Sequence, residues 1–394
     1  MRAVALKDVC RITNGGTPKS GVDSLWHGGV AWLTPAEMGK RVTPYIRETA
    51  RSISQDGLAN SSAKLVPSGS VILSTRAPIG HLAINEAPMA FNQGCRGLTP
   101  SDKLDTKYLY YFLYFSREAL DKLGTGTTFK ELSSSNLASF QIPLPPLDEQ
   151  RRVVAVLDKA FAGIATATAN AQKNLVNARA LFESYSNEAF EELAVAAVER
   201  PQLETLTEAK SEITYGVVKP GAIGSIRFVR GGDLIGGEVR LNRLRTITSE
   251  VSEQYRRTLL RGGELLMCLV GVPGQCAIAP AELAGANIAR QVGLIRLRPD
   301  VNAEYVKDYL QSPPGQMSLG TFTGGSVQQV INLGDLRQVE IPLPERSKQD
   351  EMVKRIATVK RLSDHVAQKY EAKFAALTQL KQSLLQKAFA GELT

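Results

Sequence analysis

The sequence predicts an α+β protein in which two strand-rich domains are held apart by two long antiparallel coiled-coil helices, arranged as a pseudo-twofold internal repeat. Three observations carry this. The run IPLPPLDEQ (Ile142 to Gln150) recurs as IPLPERSKQ (Ile341 to Gln349). Gly126 aligns with Gly325, Leu137 with Leu336 and Ala189-Phe190 with Ala388-Phe389, all at an offset of 199 residues. Each copy of the run opens a long helical pattern, and a repeat of this length suits a duplicated domain rather than a solenoid. The expected divisions are residues 1–146 and 201–345 for the globular domains, 147–200 for the central helix and 346–394 for the closing helix.

Residues 1–130 alternate short apolar runs with Gly and Pro punctuation, which predicts strands near Val30–Leu33, Ser70–Ser74 and His81–Ile84. One apolar-aromatic helix is expected over Lys107–Leu123, its aromatic residues read as core rather than as a base-stacking platform. The second half repeats the order with Ile226–Val229, Gly263–Val270, Gln275–Ala279 and a helix near Glu304–Gln311.

From Leu147 the apolar spacing alternates between three and four residues. Val154, Leu157, Phe161, Ile164, Leu175 and Phe182 define a heptad seam, with Asp148 and Glu149 in the first turn and Pro201 beyond the end. The closing helix offers Ile356, Leu362, Val366, Phe374, Leu377, Leu380 and Leu384 at a spacing nearer 3.6, a capping-box start at Ser347 with Asp350, and a stop at Gly391. Neither stripe can be buried alone, so the helices are expected to pair antiparallel. Some 45 helical residues give a rod of roughly 65 Å.

Composition narrows the function. The chain has 394 residues and a formal net charge of +8. Residues 1–146 carry +5, 147–200 −2, 201–345 zero and 346–394 +5. Within the neutral domain, Arg227, Arg230, Arg240, Arg243, Arg245, Arg256, Arg257 and Arg261 crowd one stretch. Cys10, Cys95, Cys268 and Cys276 lack metal spacing and read as buried thiols in a reducing compartment. No apolar run of membrane length or targeting signal is evident, so a cytoplasmic protein without a membrane partner is expected. No phosphate loop, metalloprotease or nucleophile-elbow motif occurs, nor the cofactor loop and Asn/Asp-Pro-Pro-aromatic motif of an adenine methyltransferase. No catalytic, metal or cofactor site is therefore expected.

What remains is basic and amide-rich loops. Lys40, Arg41, Arg47 and Arg51 in the first half correspond roughly to Arg240, Arg243, Arg245, Arg256 and Arg257 in the second. Arginine neutralises phosphate and can contact guanine O6 and N7 together. The alternative is a solvated surface with scattered ion pairs. Lys19, Arg76, Gln93, Lys219, Arg230 and Arg290 join the candidates. So do Thr127 and Lys130 in the run Gly124–Asn136, and Gln328 and Gln329 in Gly324–Asn332, unless these runs are plain connectors. Where the halves agree they are read as scaffold; where they differ, above all 39–66 against 236–261, they are free to read different sequences. Two unlike heads on one frame would recognise an asymmetric, two-part DNA site.

The motifs resemble those of the specificity subunit of type I restriction-modification enzymes. The likeness runs through ITNGGTP (Ile12 to Pro18), LWHGGVAWLTPAEM (Leu25 to Met38), SGSVILSTRAPIGHLAI (Ser68 to Ile84), FNQGC (Phe91 to Cys95), GTTFKELSSSNL (Gly126 to Leu137) and IPLPPLDEQ. In the second half GVPGQCAI (Gly271 to Ile278) echoes the first-half motif, Glu345 replaces Pro146, and the chain closes on QKAFAGEL (Gln386 to Leu393). The resemblance implies two target-recognition domains reading half-sites across a spacer set by the helices. It further implies docking of two adenine-N6 methyltransferase subunits and two ATP-driven translocase-nuclease subunits. S-adenosylmethionine, ATP and Mg would belong to those partners, and this chain would catalyse nothing. The competing readings are a self-contained enzyme and a coiled-coil adaptor without a DNA role.

Overall fold

In the computed structural model, which describes residues 2–41, 43–76, 78–126, 130–195, 198–320 and 330–393, the expected strands form and repeat in one topology. The chain divides into two compact units, residues 1–171 with 372–394, and residues 172–371. Each unit holds one strand-rich head and one part of each long helix.

In the first head, a sheet orders Cys10–Asn14, Cys95–Pro100, Val71–Thr75, Ile79–Asn85 and the edge strand Tyr45–Ile46. A second sheet sets Trp26–Leu33 between Ser52–Ile53, antiparallel, and Ala90–Phe91, parallel. The second head repeats both patterns without the edge strand, and Leu234–Ile235 pairs with Glu238–Val239 as a separate hairpin. Thr214–Tyr215, Val292–Ile295, Leu265–Cys268 and Cys276–Ile278 form one sheet. Ile226–Val229 lies between antiparallel Arg245–Ile247 and parallel Asn287–Ile288 in the other. The strands are apolar on both sides; Val71 to Thr75 and Leu265 to Cys268 are wholly buried, because helices cover one face and the small sheet the other.

The aromatic helix is core, with Tyr108, Tyr111 and Phe112 buried. It is broken where one helix was expected: Thr106–Phe115 and Arg117–Lys122 flank Ser116, whose backbone (φ −84°, ψ 7°) leaves helical geometry. Its counterpart is Ala303–Gln311. Asp105 and Asn302 cap the two helices equivalently, each side chain accepting two backbone N–H bonds.

The central helix runs Leu147–Val195 and the closing helix Arg346–Ala390. Within each unit they pair antiparallel. In the first, the Lys381 ammonium lies 4.9 Å from the Phe161 ring centre, and Val153, Val154 and Leu157 share a core with Leu385 and Ala388. In the second, Asn174 donates to the Tyr370 hydroxyl (2.9 Å) and Arg179 pairs with Glu371 (3.2 Å). Leu175 and Ile356 are buried; Phe161, Ile164, Phe182, Phe374, Leu377 and Leu384 are half-buried.

The closing-helix seam differs from expectation. Leu362 (58% exposed), Val366 and Leu380 face solvent, and the buried positions are Ser363 and Ala367. The Ser363 hydroxyl donates to the Ala178 carbonyl at 2.7 Å, so the helices meet here through small residues at a separation that leucine would prevent. The capping box at Ser347 is also absent. The helix begins at Arg346, and the Asp350 carboxylate accepts from Asn302 (2.6 Å) and Arg346 (2.9 Å), which hold it below the usual carboxylate range. Gly391, at φ +84°, ends the helix as expected. By length and composition alone, Leu147–Leu193 is long and apolar enough to cross a membrane, a test that a core helix passes too. Its apolar residues Val153, Val154 and Leu157 are nevertheless buried in the first head's core.

One joint, made twice, fixes each head to its helix. The buried Gln150 side chain donates to the carbonyls of Lys103 (3.0 Å) and Pro145 (2.8 Å) and accepts from the Asp105 N–H (2.8 Å). Gln349 likewise donates to Pro344 (2.8 Å) and accepts from Asn302 (2.8 Å). Tyr108 donates to the Pro143 carbonyl and Tyr305 to that of Pro342. Phe389 packs on Tyr108, Phe112 and Phe115, and Phe190 on Tyr305 and Tyr309. Replacing Gln150 or Gln349 with Ala strands buried donors and acceptors in one joint. Each variant should lose about 2 to 3 kcal/mol in urea unfolding.

Candidate nucleic-acid interface

The heads present one loop corner in two chemical versions. In the first, Gly15 and Gly16 donate to the carbonyls of Cys95 (3.2 Å) and Phe91 (2.9 Å), which press the loop entering Trp26–Leu33 onto the loop at Asn92. A Cβ at Gly15 would stand 2.0 Å from the Asn92 carbonyl oxygen, so only glycine fits. In the second head Gly216 and Val217 donate to Ala289 (3.3 Å) and Ile288 (2.8 Å). A Cβ at Gly216 would meet the Ile288 oxygen at 1.8 Å.

Tryptophans lock the first loop from beneath. Trp32 and Trp26 donate their indole N–H groups to the carbonyls of Gly16 (2.9 Å) and Lys19 (3.1 Å). The Thr17 hydroxyl donates to the Gln93 side chain and accepts from the Asn92 side-chain amide at 3.4 Å. Arg96 donates to the Gln93 carbonyl and to Ser134 (both 2.9 Å), tying this corner to the segment after residue 130. Arg76, bridged to Glu131 through the backbone, adjoins Gly94. Lys19, Arg76 and Gln93 are therefore brought together, all exposed, at the sheet end marked by Asn14 and Cys95.

Other candidates lie elsewhere. Tyr45 and Ile46 pair with Ile84 and Asn85, at the opposite end of that sheet. Arg41, which donates to the Tyr45 carbonyl, and exposed Arg47 lie there, with exposed Lys40 preceding them. Lys130 is paired with Asp121 at 2.6 Å. Thr127, Gln328 and Gln329 fall outside the described residues.

In the second head, exposed Lys219 follows the Gly216 loop, and exposed Arg290 donates its N–H to the Val217 carbonyl at 2.9 Å. Exposed Arg245 pairs with Phe228 near the same strand end. Arg230 is held there by Asp233, which accepts from its Nε (3.1 Å) and Nη2 (2.9 Å), so its fork is already occupied. Exposed Arg240 and Arg243 flank the turn before Arg245. Arg257 belongs to a separate open cleft of about 780 Å³ shared with Lys210, Arg256, Arg261 and Arg296.

The site has the chemistry of recognition: cations, amides and hydroxyls on fixed loops. The four cysteines are buried and free, and burial pushes the Cys10 and Cys95 thiols up to about 12. Among the described residues, no cluster of His, Cys, Asp and Glu could hold a metal ion. Sequence reading missed the tryptophan lock, although Trp26 and Trp32, six apart on one strand, share a face by its two-residue period.

Comparison with known proteins agrees with this picture. Residues 1–177 match the family model described as type I restriction modification DNA specificity domain. The chain is 29% identical over 334 residues to the type I restriction enzyme EcoBI specificity subunit of Escherichia coli, covering 78% of this chain and 70% of that one. It is 25% identical to the EcoKI specificity subunit of Escherichia coli K12, over 86% and 77% of the two chains. The fold matches the HsdS subunit from Thermoanaerobacter tengcongensis with a TM-score of 0.63 at 18% identity, covering 99% and 97%. A solved chain described under complex assembly and conformational transition of the type I R-M system matches at 0.73 and 18%, covering 99% and 98%.

Gly15→Ala and Gly216→Ala should each lower stability by about 2 kcal/mol or more, because backbone blocks the new Cβ. Gly21→Ala and Gly232→Ala, with nothing within 4 Å, should leave the melting temperature near that of the parent.

Proposed function

Because residues 1–177 match the type I restriction modification DNA specificity domain and most of the chain is similar to type I specificity subunits, we propose that it is the sequence-reading, non-catalytic subunit of such a complex. In this reading the first and second heads each bind one half of an asymmetric, bipartite site in double-stranded DNA. Two adenine-N6 methyltransferase subunits dock on the chain and methylate the site, and two ATP-dependent translocase-nuclease subunits complete the restriction enzyme. S-adenosylmethionine, ATP and Mg serve those partners, in the cytoplasm where the DNA lies.

The observation that carries this reading is the duplicated loop corner with unlike side chains. Both copies share glycine anchorage, at Gly15 and Gly216, yet present Lys19, Arg76 and Gln93 in one and Lys219, Arg245 and Arg290 in the other. A common scaffold with different exposed groups is what reading two different sequences requires. Phosphate contacts set register, and base contacts contribute about 1 to 3 kcal/mol of discrimination each. Docking is supported by apolar side chains left in solvent on the long helices, Val156, Val176, Leu181, Leu362, Val366 and Leu380.

The test is to map methylated adenines in cells carrying the modification subunit, with and without this chain. A two-part motif appearing only with the chain is expected; unchanged methylation would exclude the reading. DNA affinity that does not fall as salt rises would favour a coiled-coil adaptor instead. Inserting residues at the ends of either long helix should lengthen the unread spacer and leave both half-sites unaltered, as read by the same mapping.

A further inference from the structure

Arg51 is held differently from the other basic candidates of the first head: like Arg117 over Tyr114 it lies on a ring, but its platform is a pair of indoles beneath the loop corner. Its guanidinium carbon lies 4.1 Å from the ring centre of Trp26 and 5.0 Å from that of Trp32. The two indoles meet edge to face, 5.1 Å apart at 89°, and both are buried. Its backbone is fixed as well: the Arg51 carbonyl accepts from the Trp32 N–H (3.1 Å) and from the Thr49 hydroxyl (2.7 Å). Thr49 in turn accepts from the Trp32 N–H at 3.0 Å.

Stacking satisfies the face of a guanidinium and leaves its in-plane N–H donors free. Arg230, by contrast, has its fork filled by Asp233, and Arg41 donates to a carbonyl. Arg51 is exposed, and no carboxylate among the described residues lies within ion-pair distance of it. The same indoles hold the carbonyls of Gly16 and Lys19, so the platform under Arg51 is also the lock of the loop bearing Lys19 and Thr17, the latter bonded to Gln93. A restrained fork with open donors, beside a cation and an amide, suits the paired acceptors O6 and N7 of guanine in the major groove.

We infer that Arg51 is a specificity-determining residue of the first head, reading a guanine in its half-site with a fork pre-set by the Trp26–Trp32 platform. This rests on the function proposed above. The corresponding strand of the second head, Ile226–Val229, carries no tryptophan, so the device serves one half-site only.

The experiment maps methylated adenines in cells expressing the modification subunit with the parent chain, Arg51→Lys or Arg51→Gln, and records the melting temperature of each purified chain. Lysine keeps a cation over the rings but puts a flexible ammonium in place of the planar fork that the platform pre-sets. The expected result is that one guanine position in one half-site becomes degenerate in both variants. Preference there should fall about tenfold to a hundredfold, with the other half-site and the spacer unchanged. An unchanged motif in Arg51→Lys overturns the inference, leaving Arg51 as a cover for the indoles. Loss of methylation at all sequences, whether from a folded variant or with a lowered melting temperature, overturns it too. A parent chain that directs no two-part methylation would overturn the function itself, a distinguishable outcome.

Discussion

The structure depends on a buried amide at the first turn of each long helix. Gln150 and Gln349 lie where the chain leaves a proline-rich segment and becomes helical, and the carbonyls of Pro145 and Pro344 precede the helix and find no partner within it. One side-chain amide answers this by donating to a proline carbonyl and accepting from the N–H that begins the aromatic helix of the head. Head and helix thus share a hydrogen-bonded corner in a water-free setting, where an unmade bond costs more than a made one contributes. Phe389 and Phe190 close it with edge-on aromatic contacts, so orientation is set by directional interactions as well as by apolar burial.

The long helices obey a second constraint, close approach. Ser363, Ala367 and Ala178 occupy buried positions where larger apolar residues stand nearby in sequence. A hydroxyl-to-carbonyl bond between helices requires the backbones to come near, and leucine at 363 would prevent it. The bulky residues are displaced to solvent, which leaves the helices an outer apolar surface beyond the one they bury in each other. Periodicity counts apolar residues and cannot tell which of two adjacent stripes faces the partner.

This limits what could be read from sequence. The repeat, the strand-rich heads, the paired helices and their starts within a residue were all legible, because offset and period are one-dimensional properties. The break at Ser116 was not, since serine is tolerated in helices and the break is a backbone adjustment within the packed head. At the loop corner of the first head, Lys19, Arg76 and Gln93 were selected separately and the fold gathers them. Arg230 was selected by charge, whereas its geometry commits it to Asp233. Arg51 was visible as a basic residue, but its stacking on Trp26 and Trp32 arises from pairing between strands separated by some twenty residues. Spacing along the chain carries no information about that contact.

Each glutamine corner draws all its partners from its own unit, Gln150 from residues 103–145 and Gln349 from residues 302–344. Genetic exchange that cut the chain inside the central helix would therefore carry each head together with its glutamine corner, and the first head would still need Phe389 and Leu385, or residues like them, from the closing helix. Surface loops could diverge or be inherited from another lineage without any matched change across the breakpoint. The architecture lends itself to combinatorial evolution, in which new pairings of loop surfaces arise by shuffling intact heads.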